Sequence, residues 1–338
     1  MKKKIRPKTD HLNFIYSYAT GKEVLSYRPF FLMIEPTNAC NLRCKMCPQN
    51  GLLKRKKGMM NLDLYKEIID DCKDYVQAIH LYHSGESLLH ENLPEMVEYA
   101  SKRGIYVIIN TNATMLTPEM SEKLILSGLD FLSISFDGFD PEIYEKIRIG
   151  ADFQKTLQNI KDFFYTRQQM GKKNPRTALE ILKMNETSEK IPEFTKKARE
   201  LGAEEVRVWK YHNWSESSMD NRELLPGTGK HFPCEYPYNI MAVLWEGQVV
   251  PCCLDYDGKY IIGDVREKSL LEIWNDLPLR ELRKKLSQRR ENEIELCRNC
   301  SFLREPKSYY TIYGKLFKYF SGIVGLFRRK TVEVKETQ

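Results

Sequence analysis

Three cysteines carry the first recognisable chemistry in this chain of 338 residues. Cys40, Cys44 and Cys47 form a C-x3-C-x2-C pattern in Glu35-Pro36-Thr37-Asn38-Ala39-Cys40-Asn41-Leu42-Arg43-Cys44-Lys45-Met46-Cys47-Pro48, directly after the apolar run Phe30 to Ile34. Thiolates select soft metals and iron–sulfur clusters. A four-iron cluster held by three cysteines keeps one iron free of protein, open to a small molecule, as a catalytic zinc keeps one open position. A structural zinc site is the plainer alternative. Zinc takes four ligands, however, and here His11 lies far upstream while Asn38 and Gln49 are poor donors.

A second set lies near the C-terminus: Cys234, Cys252, Cys297 and Cys300, spaced C-x17-C-x44-C-x2-C. Four thiols closing around one centre suit zinc and an iron–sulfur cluster equally well. Cys253 is left over as a spare thiol, a packed side chain or a hydrogen-atom donor. Cys72, in Asp71-Cys72-Lys73, reads as a buried, inert residue of a helix.

The elements that must position these residues alternate in a βα rhythm, which implies a parallel sheet. Strands are expected near 30–35, 77–82, 105–110, 130–135, 178–183 and 205–209, with helices near 61–74, 92–103, 117–127, 153–170 and 188–201. Asn61, Thr117-Pro118-Glu119 and Ser188 are helix start signals. Gly104, Gly128 and Gly202 stand where left-handed caps would end three of the helices. Residues 11–28 read as an amphipathic lead-in helix. In the C-terminal segment, Trp245 to Val249 read as a hairpin, Gly263-Asp264-Val265 as a turn and Ser269 to Trp274 as a helix.

The cysteine loop after the first strand resembles the signature of the radical S-adenosylmethionine (SAM) superfamily. That resemblance implies a partial (β/α)6 TIM-like barrel in which a 4Fe-4S cluster on Cys40, Cys44 and Cys47 binds SAM through its open iron. Reductive cleavage would then yield methionine and a 5′-deoxyadenosyl radical. Relatives carry Gly-Gly-Glu-Pro after the second strand, where it holds the SAM ammonium. This chain keeps Gly85-Glu86 between Ser84 and Ser87. By the same resemblance Asn112, Ser135 and Arg148 line the SAM site, with Asn185 a weaker candidate and Asp137-Gly138 a loop turn. Lys210 and His212, in Trp209-Lys210-Tyr211-His212-Asn213-Trp214, are candidates for substrate contact and proton acceptance, as is His83.

Behind such a barrel the second cysteine set resembles the SPASM or "twitch" extension, a small α+β domain. Full SPASM patterns have about seven cysteines and two clusters. Four well-placed cysteines plus Cys253 imply a single auxiliary 4Fe-4S cluster, as in the aminocyclitol dehydrogenase type known from butirosin biosynthesis. The expected domains are a lead-in at 1–28, the barrel at 29–215, the auxiliary domain at 231–303 and a basic tail at 306–338. The implied activity is oxidation of a sugar or cyclitol carbinol, with the auxiliary cluster as electron acceptor and a flavodoxin- or ferredoxin-type protein as donor. Modification of a peptide or protein is the alternative, and a zinc-bound interaction module is the non-enzymatic one.

Composition narrows the field further. Hydrophobic residues make up 42% and aromatics 11%, enough for a full core. The net charge is +7, but residues 1–10 contribute +4 and residues 306–338 contribute +5, leaving the body at −2. A nucleic-acid groove would put its positive charge on the folded body, so nucleic acid is excluded as a partner. Nine cysteines in so long a chain do not make a disulfide scaffold, and neither a signal peptide nor an apolar run of about 20 residues is present. The expectation is a cytoplasmic protein. Tyr313, Leu316, Phe317, Phe320, Ile323, Val324 and Phe327 recur at helical spacing among Lys and Arg, a pattern suited to a membrane surface.

Overall fold

The computed structural model describes residues 8–210, 214 and 233–304. Helix α1 (Lys8–Thr20) leads into β1 (Phe31–Ile34) and α2 (Leu62–Cys72), then β2 (Ala78–His80) and α3 (Leu93–Lys102). Next come β3 (Tyr106–Thr111) with α4 (Pro118–Leu126), and β4 (Phe131–Ser135) with α5 (Pro141–Ile147) and α6 (Phe153–Gln169). The series closes with β5 (Arg176–Lys183), α7 (Ile191–Glu200) and β6 (Glu205–Lys210). The C-terminal segment adds β7 (Ile240–Val243), β8 (Gln248–Val250), β9 (Gly263–Asp264), α8 (Leu270–Trp274), α9 (Leu277–Ser287), α10 (Glu295–Arg298) and α11 (Ser301–Arg304).

Strands β1 to β6 pair in parallel and in chain order, giving the partial (β/α)6 barrel. The sheet does not stop at β1. Strand β7 pairs parallel to it, Phe31 with Ile240 through Ile34 with Val243, and β8 and β9 continue antiparallel. The second cysteine segment therefore shares one nine-stranded sheet with the barrel, in the order β6-β5-β4-β3-β2-β1-β7-β8-β9.

Alternation along β1 sorts its side chains onto two faces. Leu32 and Ile34 join the main core beneath the helices, whereas Met33 packs with Ile240, Ala242, Leu244 and Val250 on the inner face. Each such side chain contributes about 1.5–3 kcal/mol when fully buried. Arg283 of α9, fully buried, fastens the C-terminal helices to the N-terminal lead-in. It donates to the carbonyls of Pro237, Glu23 and Trp274 at 2.8, 3.0 and 2.8 Å.

Local signals account for most boundaries. Asn61 Oδ1 accepts from the amides of Asp63 and Leu64, and Thr117 Oγ1 from that of Met120. Gly104, Gly128 and Gly202 take φ of +79°, +83° and +103°, as left-handed caps require. Four expectations need correction. The lead-in helix is α1, ending at Thr20, because Gly21 at φ +65° breaks it. Ser188 does not cap α7. Its hydroxyl donates to the Met184 carbonyl, and a 3-10 turn precedes the helix, which begins with Pro192 in its first turn. Gly263-Asp264 is not a turn but β9, paired with β8. Helix α5 was not foreseen, although Asp140 caps it through the amides of Glu142 and Ile143 and Pro141 starts it. The basic tail lies outside the described residues. Among the described residues no helix is long and apolar enough to cross a membrane.

Candidate metal centres

The cysteine loop leaves β1 at the strand's C-terminal end, the end where barrels carry their chemistry. It is closed on itself by Thr37 Oγ1, which donates to the Gly58 carbonyl at 2.6 Å, and by Asn38, which bonds the backbone of Lys56 and Gly58. Its far side is held by α5 and the residues after it. The amides of Arg43 and Lys45 donate to the carbonyls of Ile149 and Ile147 at 2.9 and 2.8 Å. These two bonds bracket Cys44 on one strand of chain and Arg148 on the other.

Arg148 is consequently buried, and Asp137 is no mere turn residue. The buried guanidinium binds Asp137 Oδ2 through Nε at 2.8 Å and Nη2 at 2.6 Å, and points Nη1 at Cys44 Sγ, 4.0 Å away. Asp137 is fixed in turn by the Leu182 amide at 2.7 Å. Cys40 has a comparable neighbour, Asn112 Nδ2 at 4.0 Å, which also bonds Asn41 Oδ1 at 3.1 Å.

Gly85 stands where the loop after β2 meets the cysteine loop. A Cβ there would lie 2.3 Å from the Thr37 carbonyl oxygen and 2.5 Å from that of Ala39, so only glycine permits the approach. Glu86 is buried, and its Oε1 accepts from Leu88 N and Thr111 Oγ1 while Oε2 accepts from Asn112 N. Burial pushes its carboxyl up, against the pull of these bonds. The carboxylate thus ties the ends of β2 and β3 together and retains one spare lone pair, on Oε2.

Ser135, the last residue of β4, donates to Asn110 Oδ1 at 3.0 Å. Asn110 donates on to Glu180 Oε2 at 2.8 Å. Ser133 also bonds Glu180, and Arg207 pairs with it at 3.4 Å. Sequence reasoning passed over Glu180. A lone acid in the apolar run Thr177 to Leu182 was the available signal.

Lys210, at the end of β6, is exposed, and His212 lies outside the described residues. Trp214 reaches back to donate its indole N–H to the Met46 carbonyl at 2.9 Å. Asn185 is exposed in a turn. Cys72 closes α2, fully buried, with its thiol near the Ile69 carbonyl. His83 is buried at its side chain against Glu35, a residue that sequence reasoning had not singled out.

None of the nine cysteines forms a disulfide. Burial pushes the Cys40 thiol up to about 11 and the Cys47 thiol up to about 12, and neighbouring thiols add to both. At the second set, burial and then the fields of Cys253, Cys234, Cys297 and Cys300 raise the Cys252 thiol well above its usual value. Packed thiols that raise one another become thiolates when a cation compensates their charge. Among the described residues no group of three or more His, Cys, Asp or Glu forms a site for a single metal ion. A four-iron cluster instead spreads its thiolates over separate irons, and these all-thiol sets fit one.

A parallel partial barrel with such a loop defines an iron–sulfur protein that uses SAM. Residues 34–198 match the radical SAM superfamily and residues 234–301 the SPASM iron–sulfur cluster-binding domain. The chain belongs to the radical SAM superfamily, and it uses SAM, a SAM-binding 4Fe-4S cluster and an auxiliary cluster. It is 28% identical over 287 residues to a tungsten-containing aldehyde ferredoxin oxidoreductase cofactor-modifying protein of Pyrococcus furiosus, covering 72% of this chain and 80% of that one. It is 23% identical over 280 residues to the SAM-dependent 2-deoxy-scyllo-inosamine dehydrogenase of Niallia circulans, covering 79% and 91%. Among solved structures, BtrN with AdoMet and 2-DOIA has a TM-score of 0.56 at 21% identity, covering 80% of this chain and 92% of that one. Streptococcus suis SuiB bound to precursor peptide SuiA has a TM-score of 0.65 at 17% identity, covering 89% and 76%. At these identities the structural likenesses bear on the fold.

Proposed function

We propose that the chain oxidises a carbinol carbon of a sugar or cyclitol, using SAM as radical source and the auxiliary cluster as electron acceptor. One observation carries this reading: between Cys234 and Cys252 the four-cysteine segment runs through β7 and β8, which extend the barrel sheet past β1, beside the cysteine loop. In this reading an electron leaving a substrate at the barrel mouth passes to an acceptor held by residues that flank this sheet, Cys252 lying two residues past β8.

In this reading Cys40, Cys44 and Cys47 hold the first cluster, and Cys234, Cys252, Cys297 and Cys300 hold the second. The first cluster supplies the electron that cleaves SAM. Gly85 lets backbone approach the SAM ammonium, and the spare lone pair of Glu86 accepts from it as a charge-assisted bond. Asn112, Ser135 and Arg148 surround the remainder of the SAM site, Arg148 with its Nη1 beyond the Asp137 pair. Residues 29–215 act as the barrel unit and 231–303 as the auxiliary unit. The likeness to the cofactor-modifying protein favours a second reading, in which the substrate is a peptide or a protein-bound group.

The deciding experiment is anaerobic reconstitution, followed by dithionite, SAM and a panel of cyclitols and amino sugars headed by 2-deoxy-scyllo-inosamine. About eight irons and eight sulfides per chain are expected, together with 5′-deoxyadenosine and a carbonyl product by mass spectrometry. Formation of 5′-deoxyadenosine with no oxidised carbinol from any probe would overturn the small-molecule reading in favour of the second.

A further inference from the structure

Three buried polar atoms beside the cysteine loop have no hydrogen-bond partner: Gln49 Oε1, Arg55 Nη1 and His83 Nε2. Two of them belong to side chains that pair with one carboxylate. Glu35, one residue past β1 and fully buried, accepts from Arg55 Nη2 at 2.8 and 3.0 Å, from the Trp245 amide at 3.1 Å, and lies 3.2 Å from His83 Nδ1. Gln49 joins the group by donating to the Ser84 carbonyl at 2.7 Å, next to His83. The side chains of Glu35, His83 and Arg55 are 0%, 1% and 9% exposed. Orphaned polar atoms this deep are destabilising unless something pairs with them. Three on adjoining side chains mark a place built for a polar ligand.

The tautomer follows from the same contacts. A bare Nδ1 lone pair 3.2 Å from a buried carboxylate oxygen would be repelled, so Nδ1 carries the proton and Ser84 Oγ, 2.7 Å away, shares it. Nε2 is then a lone pair with no partner, on a ring held in place by a carboxylate. Such a pair is a general base with its orienting group.

The position suits that task. His83 is three residues past β2 and two before Gly85, and Glu35 is five before Cys40. On the other side, Arg55 Nε donates to the Tyr256 carbonyl at 2.9 Å, four residues past Cys252. The charged groups packed around this cluster are Glu35, Arg55 and Asp255.

We propose that His83, oriented by Glu35, is the catalytic base that removes the hydroxyl proton of the carbinol, and that Arg55 and Gln49 bind a neighbouring hydroxyl. The assignment rests on the oxidation reading above. The substrate loses one hydrogen atom from carbon, one proton from oxygen and one electron as C–O becomes C=O. The SAM-derived radical takes the atom, Nε2 takes the proton, and an oxidised 4Fe-4S acceptor takes the electron. Arg55 Nη1 as donor and Gln49 Oε1 as acceptor match the donor and acceptor capacity of a second hydroxyl, so the ligand class is a vicinal polyol.

The test uses the reconstituted full chain with 2-deoxy-scyllo-inosamine and myo-inositol deuterated at the carbinol carbons. His83→Gln should lower carbonyl product by roughly 100-fold or more while iron and sulfide content and deuterium transfer into 5′-deoxyadenosine persist. Its residual rate should also lose the acid limb of the wild-type pH profile. Glu35→Gln should lower product with the wild-type limb displaced. Product from His83→Gln within about tenfold of wild type overturns the assignment and leaves the oxidation reading intact. Loss of iron or of deuterium transfer in His83→Gln overturns it too, making His83 part of the scaffold. No product from wild type with either probe overturns the oxidation reading, and this assignment with it.

Discussion

Gly85→Ala is the most quantitative probe of how the cysteine loop is held. The new Cβ would meet the carbonyl oxygens of Thr37 and Ala39 at 2.3 and 2.5 Å and the Thr37 carbonyl carbon at 2.9 Å. All three are backbone atoms, so no side chain can swing aside. A comfortable carbon–oxygen contact is about 3.3 Å, and the loop must therefore retreat by roughly 1 Å. Overpacking of this kind costs about 1–3 kcal/mol. The retreat also stretches the bond from Glu86 N to the Ala39 carbonyl, now 2.9 Å, at a further cost of about 1 kcal/mol. The total, about 2–4 kcal/mol, lowers the midpoint of thermal unfolding by roughly 3–6 °C for a chain this long. Because Ala39 adjoins Cys40, iron occupancy at the first cluster should fall as well. Differential scanning calorimetry and iron and sulfide analysis of the reconstituted variant make the check. A variant with wild-type midpoint and full iron content would refute the close-approach argument.

Further outcomes follow from the same geometry. Cys44→Ala should abolish 5′-deoxyadenosine formation, while Cys300→Ala should retain part of it and lose oxidised product; mass spectrometry of both species separates the two. Asp137→Ala would leave the Arg148 guanidinium buried without its partner, costing about 3–5 kcal/mol, to be read in urea unfolding at neutral pH. Burial pushes the Glu35 carboxyl up, but His83 and Arg55 outweigh it and bring it down to about 2. Its contribution is thus present above the ordinary carboxylate range and lost as pH falls towards 2, about 3 kcal/mol in all. Unfolding free energies of wild type and Glu35→Gln should therefore converge as the pH is lowered through that window, and parallel curves would contradict this.

The features that were legible in the sequence are those with a local cause. Asn61, Thr117 and the glycines at 104, 128 and 202 announce helix ends because a cap is made by residues two or three positions away. The C-x3-C-x2-C loop was visible because its spacing is itself the chemistry. What escaped was long-range charge pairing. Glu35 reads as the polar end of a strand, and its partners lie 20, 48 and 210 residues away at Arg55, His83 and Trp245. Arg148 was legible as a SAM-site candidate by resemblance, but its buried pairing with Asp137 was not, because that partner lies eleven residues back in another loop. Asp137-Gly138 has the composition of a turn, and only the fold turns that aspartate towards the arginine.

The pairing of β7 with β1 has a consequence for how the chain is made. β1 emerges from the ribosome roughly 200 residues before its neighbour on that side. Until β7 arrives, the nascent barrel carries a raw parallel edge at Phe31–Ile34, with Met33 awaiting Ile240, Ala242 and Leu244. An unpaired apolar edge of this kind invites pairing with another chain, and contacts of such sequence separation form late. A gene fragment that ended after β6 would strand that edge permanently. The auxiliary segment thus completes the barrel as well as furnishing cysteines, and for this chain the two units stand to be inherited, expressed and exchanged as one.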